Sequence, residues 1–273
     1  MTGGAAMGMR RPWVVVSVLW LGAWTGCGSK DPEDTHGTGG SGGRTAQDAG
    51  DRGGAGIAAD DDAGGGGPEA CPDGPLLPMA VGNTWTYRVV DAVGGVTTKT
   101  TTVEGMELVG GSGPNASKTA FRVTTMKASG SVTDLTESWQ DVLADGSVVR
   151  YRELGYSSGT TQVNTEDVWD PYKLRVDQSP EHTTIGAAWN EQYLETKTQN
   201  GITTAPAARN DGWVVDDVGV PCGPVDGQSL TCVKLRKTID GAASGKTYYF
   251  ARCVGKVREE GVQVEELTDF SLK

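Results

Sequence analysis

From residue 71 onward, apolar side chains recur at every second position in short runs. That period suits a strand with one apolar and one polar face better than any helix. In Trp85-Thr86-Tyr87-Arg88-Val89 the apolar residues take alternate places, and Phe121-Arg122-Val123 and Val149-Arg150-Tyr151 repeat the pattern. Tyr172-Lys173-Leu174-Arg175-Val176 alternates cleanly, which places Lys173 and Arg175 on a wet face. Trp189 and Tyr193 share a face with Glu191. One-sided burial belongs to antiparallel sheets. Composition agrees, because residues 71–273 hold 25 Val and 25 Thr against 12 Leu and 14 Ala. Side chains branched at Cβ pack well on a pleated surface and lose rotamer freedom in a helix.

Dipeptides that accept positive φ punctuate these runs: Gly94-Gly95, Asp145-Gly146, Asn200-Gly201 and Asp240-Gly241. Such pairs close tight hairpins. Their spacing predicts an all-β domain over 71–273, an antiparallel meander of about ten to twelve strands forming a curved sheet or open half-barrel. Leu135, Trp139, Val142 and Leu143 fall at helical spacing. Their strand neighbours favour a strand entering the Asp145-Gly146 turn. Gly110-Gly111-Ser112-Gly113 lacks the following Lys and helix of a phosphate loop and reads as a hairpin loop. Asn115-Ala116-Ser117 is a formal glycosylation sequon without meaning in a bacterium.

The N-terminal residues have a different character. Arg10 and Arg11 precede an apolar run from Trp13 to Trp24, 12 residues long. A membrane-spanning helix needs about 20 residues, so this run has the length of a signal-peptide core. Thr25-Gly26-Cys27 then resembles the lipobox of bacterial lipoprotein precursors, with Trp24 where that pattern carries an aliphatic residue. The resemblance implies cleavage after residue 26 and acylation of Cys27, giving 1–26 as signal peptide. Residues 27–70 are then the acylated Cys and a tether, and 14 of the 43 residues from 28 to 70 are Gly. A chain of that composition cannot offset its conformational entropy by burial, and as a Gly-rich coil it reaches roughly 35–40 Å. Asp60-Asp61-Asp62 has neither the spacers nor the closing carboxylate of a calcium loop, and His36 lies in the same tether. Gly28, rather than Asp, after the Cys implies outer-membrane residence.

Four cysteines remain: Cys71, Cys222, Cys232 and Cys253. An even number in an exported domain points to two disulfides. If the last long hairpin turns at Asp240 to Gly245, Cys232 faces Cys253, Lys234 faces Ala251 and Leu235 faces Phe250. This register favours Cys232–Cys253 with Cys71–Cys222. The rival is a local Cys222–Cys232 bridge that leaves Cys71 for Cys253. Their spacings match no zinc site, and His182 is the domain's single His.

Leu77-Pro78-Met79-Ala80-Val81-Gly82-Asn83-Thr84-Trp85-Thr86-Tyr87 resembles the opening L-P-x-x-x-G-x-x-W-x-Y of uncharacterised bacterial exported lipoproteins. Tyr248 to Gly261 resembles their closing Y-x-x-A-x-G-V-G-x-V-x-x-E, with Cys253 where Gly is common. The resemblance implies an antiparallel sheet and brings no activity. The residues themselves read structurally: Gly82 as the turn into the first strand, Trp85 and Tyr87 on the inner face, Gly255 as a bulge or close approach.

Residues 71–273 carry 19 basic and 26 acidic groups, which disfavours nucleic acid as a partner. No Gly-x-Ser-x-Gly and no His-centred triad are present, so no catalytic residue, cofactor or metal is assigned. Glu259-Glu260 and Glu265-Glu266 read as a solvated charged edge. The expectation is a non-catalytic envelope lipoprotein, held to the membrane through Cys27, whose β domain is a structural or interaction module. The alternative is lipid or hydrophobic-ligand binding in a concave half-barrel. A dry, open, aromatic-lined groove would favour the alternative, and a face sealed by side chains would favour the module.

Overall fold

The computed structural model describes residues 71, 73–130, 132–242 and 245–273. The signal peptide, Cys27 and the tether lie outside the described residues. The strands are β1 (Thr84–Val90), β2 (Val96–Leu108), β3 (Thr119–Ser129), β4 (Val132–Val142), β5 (Val148–Tyr156), β6 (Val163–Val176) and β7 (Ala188–Gln199). They continue as β8 (Ile202–Thr203), β9 (Ala207–Val225), β10 (Gln228–Thr238), β11 (Gly245–Ala251), β12 (Gly255–Glu260) and β13 (Val264–Ser271). Between β6 and β7 one short 3-10 turn spans Pro180–His182.

All pairings are antiparallel between neighbours, as a meander requires, and the segment around Trp139 is a strand. The sheet goes further than an open half-barrel. The meander is joined through β1 and β13, and a β6–β7 pairing closes the remaining gap. Of the thirteen strands, two-residue β8 is an appendage, so twelve form the wall. Closure leaves no long free edge. The turns follow the dipeptides: Asn200 and Gly201 lie at φ 51° and 77°, and Asp240 and Gly241 at 49° and 70°. Asp226 and Gly227 make a third turn of this kind.

Closure corrects the reading of the acidic doublets. Strand alternation splits each pair, so Glu259 and Glu265 point inward and are 6% and 3% exposed. Inside, Lys256 Nζ lies 2.5 Å from Glu259 and 2.6 Å from Glu265. Lys99 also pairs with Glu265, and Lys99 and Lys256 lie 4.9 and 5.1 Å from the ring centre of Tyr87. The outward members, Glu260 and Glu266, pair with Arg258 instead.

The faces of β6 are also reversed from expectation. Lys173 and Arg175 face the lumen, with Lys173 lying 5.3 Å from the Trp169 ring and 5.4 Å from that of Tyr193. Tyr172 and Leu174 face outward and pack on a second core of Val109, Ala120, Trp139, Val149, Tyr151 and Leu154. The loop between β2 and β3 lies over this outer core, so the outside of the barrel is the dry side there.

The entry segment, Cys71 and residues 73–83, plugs one end. Leu76 is fully buried against Val148, Val176 and Trp213, and its N–H donates to Gln178 Oε1. Cys71 is bonded to Cys253, and Cys222 to Cys232. This is the rival connectivity, and the register explains it. Val233 faces Phe250 and Leu235 faces Tyr248, two residues away from the expected alignment. Cys253 has left the ladder altogether and sits in the β11–β12 turn at φ 58°. Its N–H donates to Pro75 O, and Arg252 donates to Gly74 O. A Cβ at Gly74 would fall 1.8 Å from Cys253 Sγ, so only glycine passes beneath this bridge. At Gly255 a Cβ would meet Trp85 Nε1 at 2.8 Å, which is the close approach read from sequence.

Two outcomes are expected. Non-reducing peptide mapping joins Cys71 to Cys253 and Cys222 to Cys232, and removing the first pair by double Ser substitution costs about 2–5 kcal/mol. A peptide joining Cys232 to Cys253 would overturn this pairing. The second outcome concerns Lys99. Burial, reinforced by Lys256, pushes its pKa from 10.5 down to about 7. Between those values the unfolded chain holds more protons, so stability rises with pH. Lys173, lowered by burial to about 8, acts in the same sense. Lys99→Met should therefore flatten, without abolishing, the rise in Tm between about pH 7 and 9. An unchanged slope would show that Lys99 carries no such penalty.

Candidate functional site

The barrel wall parts between β6 and β7. Their pairing covers Thr165–Asp170 against Gln199–Leu194 and stops where Pro171, which has no N–H, follows. Beyond it, Lys173–Val176 stays paired only with β5, and Ala188–Tyr193 only with β9. The buried side chain of Asn115 fixes this parting point. Its Nδ2 donates to Trp169 O at 2.9 Å and Pro171 O at 2.8 Å. The sequon therefore serves as a clamp, and the glycine-rich loop before it carries the clamp across the outer core.

The opening forms a cleft of about 270 Å³ bordered by Tyr172, Asp177, His182, Trp189 and Glu191. Glu191 bridges the seam. Its Oε1 accepts the Leu174 N–H, and its Oε2 accepts Trp213 Nε1 at 3.0 Å and Lys237 Nζ at 3.1 Å. Lys237 also lies 2.9 Å from Asp211, which is 0% exposed and accepts the Tyr193 hydroxyl at 3.0 Å. Burial, helped by the Asp211 charge, raises the pKa of that hydroxyl, so Tyr193 stays a donor.

At the outer rim, Asp177 Oδ1 accepts the Ser179 hydroxyl at 2.7 Å and the Ser147 hydroxyl at 3.2 Å. Its Oδ2 lies 2.7 Å from His182 Nδ1. Burial disfavours the Asp177 carboxylate, but the hydrogen bonds from Ser179 and His182 outweigh it and lower the pKa. The His182 ring stacks on Trp189 at 4.0 Å. Stacking continues inward from Trp189 to Trp213 at 6.1 Å and to Tyr248 at 5.8 Å.

The chain matches no family model, no curated protein and no solved structure. What the seam can do is therefore judged on its chemistry. A His–Asp pair beside two serines has the composition of an acyl-transfer site. Nucleophile activation needs the hydroxyl on the imidazole, whereas both serines here donate to the carboxylate. Glu191 is held as an acceptor by three donors, one of them an ammonium, and all three are structural partners. The set acts as a latch: each polar group orients its neighbour and closes the parted wall. A larger hollow of about 630 Å³ flanks the other side of β7, and there Arg209 is already paired with Glu195 and Asp240.

The four cysteines sit at the plug and on β9–β10, and Trp85 and Tyr87 face inward as expected. Sequence reading left Asn115, Glu191, Asp211 and Lys237 without a role. The signal present for three of them was an acid or a lysine in register with aromatic neighbours on strands otherwise apolar inside. Removing the bridge should expose its weight. Glu191→Ala leaves Lys237 with one partner and two donors with none, for an expected loss of about 3–5 kcal/mol in urea unfolding. Glu191→Gln should lose less, because an amide oxygen still accepts. A loss below about 1 kcal/mol for the Ala variant would mean the seam does not depend on Glu191.

Proposed function

We propose that this chain is an exported lipoprotein of the cell envelope, anchored through acyl chains on Cys27, whose β-barrel is a non-catalytic structural or interaction module. The filled interior is the observation that carries this reading. The lumen is crossed by ion pairs and stacked rings and stoppered by the entry segment, and the void beneath that segment measures about 40 Å³. Pockets for drug-sized ligands run to about 300–1,000 Å³, so a lipid chain has no place under the plug. The hollow beside β7 is large enough but presents the Arg209–Asp240 pair, which a hydrocarbon would have to desolvate. Pairing of all four cysteines in 71–273 supports an oxidising compartment, and hence export. The resemblance of Thr25-Gly26-Cys27 to a lipobox supports the anchor. Several acyl chains suffice for stable attachment, each buried methylene adding about 0.8 kcal/mol.

The test is metabolic labelling with a fatty-acid probe. The native chain should be tagged and should sediment with outer-membrane fractions, and Cys27→Ser should lose both properties. Undiminished labelling of the variant would remove the anchor. Native mass spectrometry of the extracted chain should show covalent acyl mass only. A stoichiometric non-covalent lipid would replace the module reading with that of a carrier.

A further inference from the structure

One ammonium and two carboxylates meet in the interior beside the seam. Lys237, Asp211 and Glu191 come from β10, β9 and β7, which neighbour one another in that order. Glu191 stands directly opposite Asp211, and Lys237 stands opposite Trp213, two residues along β9 from Asp211. A lysine reaches a same-face neighbour on that diagonal. Its Nζ lies 2.9 Å from Asp211 Oδ2 and 3.1 Å from Glu191 Oε2. The side chains of Lys237, Asp211 and Glu191 are 4%, 0% and 3% exposed. The Trp213 ring, 4.5 Å from Nζ, walls the group on one side. Asp211 takes two further donors, the Tyr193 hydroxyl at 3.0 Å on Oδ2 and the Asp240 N–H at 3.3 Å on Oδ1.

This arrangement has the parts of a condensation. Holding an ion pair away from water is costly, and joining amine to acid as an amide removes both charges. A lysine desolvated among apolar groups is one whose amine acts as a nucleophile. Well-oriented partners in one fold react with effective molarities of about 10⁵–10⁸ M, which offsets the unfavourable equilibrium of amide formation in water. Exclusion of water from the site also protects the product from hydrolysis.

We propose that Lys237 and Asp211 join through an intramolecular amide bond. Glu191 takes one proton from the Lys237 ammonium, and the freed Nζ lone pair attacks Asp211 Cγ. The Tyr193 hydroxyl donates to the negative charge that develops on Oδ2, the oxygen that is retained. The other Asp211 oxygen leaves as water. It carries two of the three ammonium protons, one returned by Glu191 and one from Nζ itself. The third stays on the new amide N–H, which still donates to Glu191, and Glu191 ends as the carboxylate it began as. Asp211 is the acyl partner because β9 adjoins β10, whereas Glu191 lies one strand further away. The bond ties β9 to β10 near one end of their hairpin, and Cys222–Cys232 ties them near the other.

The test is a tryptic map of the full native chain after reduction of its disulfides. Linked chains should yield residues 210–234 joined to residues 237–246, lighter by one water than the two together and uncut after Lys237. Finding only the separate peptides would overturn the bond, and so would a link that runs through Glu191. Lys237→Arg should abolish the joined peptide. Glu191→Gln keeps an acceptor at the seam but cannot carry the proton, so it should slow linking about a hundredfold. A merely structural Glu191 would not change that rate, and undiminished linking in the variant would overturn its part in the reaction. Should either variant not fold, the native map decides alone. The link does not depend on Cys27, so it should persist in Cys27→Ser whatever becomes of the anchor.

Discussion

A barrel of twelve strands encloses a wider lumen than Val and Leu side chains can fill. Eight strands leave an interior just wide enough for side chains to meet, and diameter grows with strand number. Every other feature of this molecule answers that constraint. Long side chains span the lumen: Trp85, Trp169, Trp213, Tyr87, Tyr248, Lys256 and Glu259. Lysines bury their stems and pair at their tips, so charge enters the interior in company. What side chains cannot fill at one end, the entry segment fills with Leu76, Leu77 and Met79.

This filling explains which parts of the fold were legible in the sequence. Strand period and turn dipeptides are local, so the all-β class, the meander and most turns could be read from residue order. Which face is the dry one is not local. On β6 the outer face is covered by a loop that begins some sixty residues earlier, so Lys173 and Arg175 turn inward against the usual rule. The same blindness applied to Glu259 and Glu265, because an acidic doublet looks solvated until its lysine partners on β2 and β12 are known. The disulfides turned on a shift of two residues and on Cys253 leaving its strand at a positive φ, neither visible in a spacing argument.

The seam was legible in fragments only. Pro171, which ends one pairing for want of an N–H, drew no reading from the sequence. Asn115 read only as part of a sequon without meaning in a bacterium, whereas its amide is buried and bonded to the backbone of β6. Glu191 shared a face with two aromatics, which read as an imperfection in alternation. It is instead the acceptor that stands in for missing backbone pairing at Leu174. Departures from clean alternation mark where the wall needs side chains to do the work of the ladder.

The bridge between Cys71 and Cys253 has a mechanical consequence. Any pull on the chain ahead of residue 71 reaches the β11–β12 turn through a covalent bond. Leu76, Leu77 and the rest of the plug lie beyond that junction and carry none of the tension. Tension applied there therefore leaves the stopper undrawn. In a reducing environment the same tug would act on the plug first, and the barrel would lose its filling before it lost its wall.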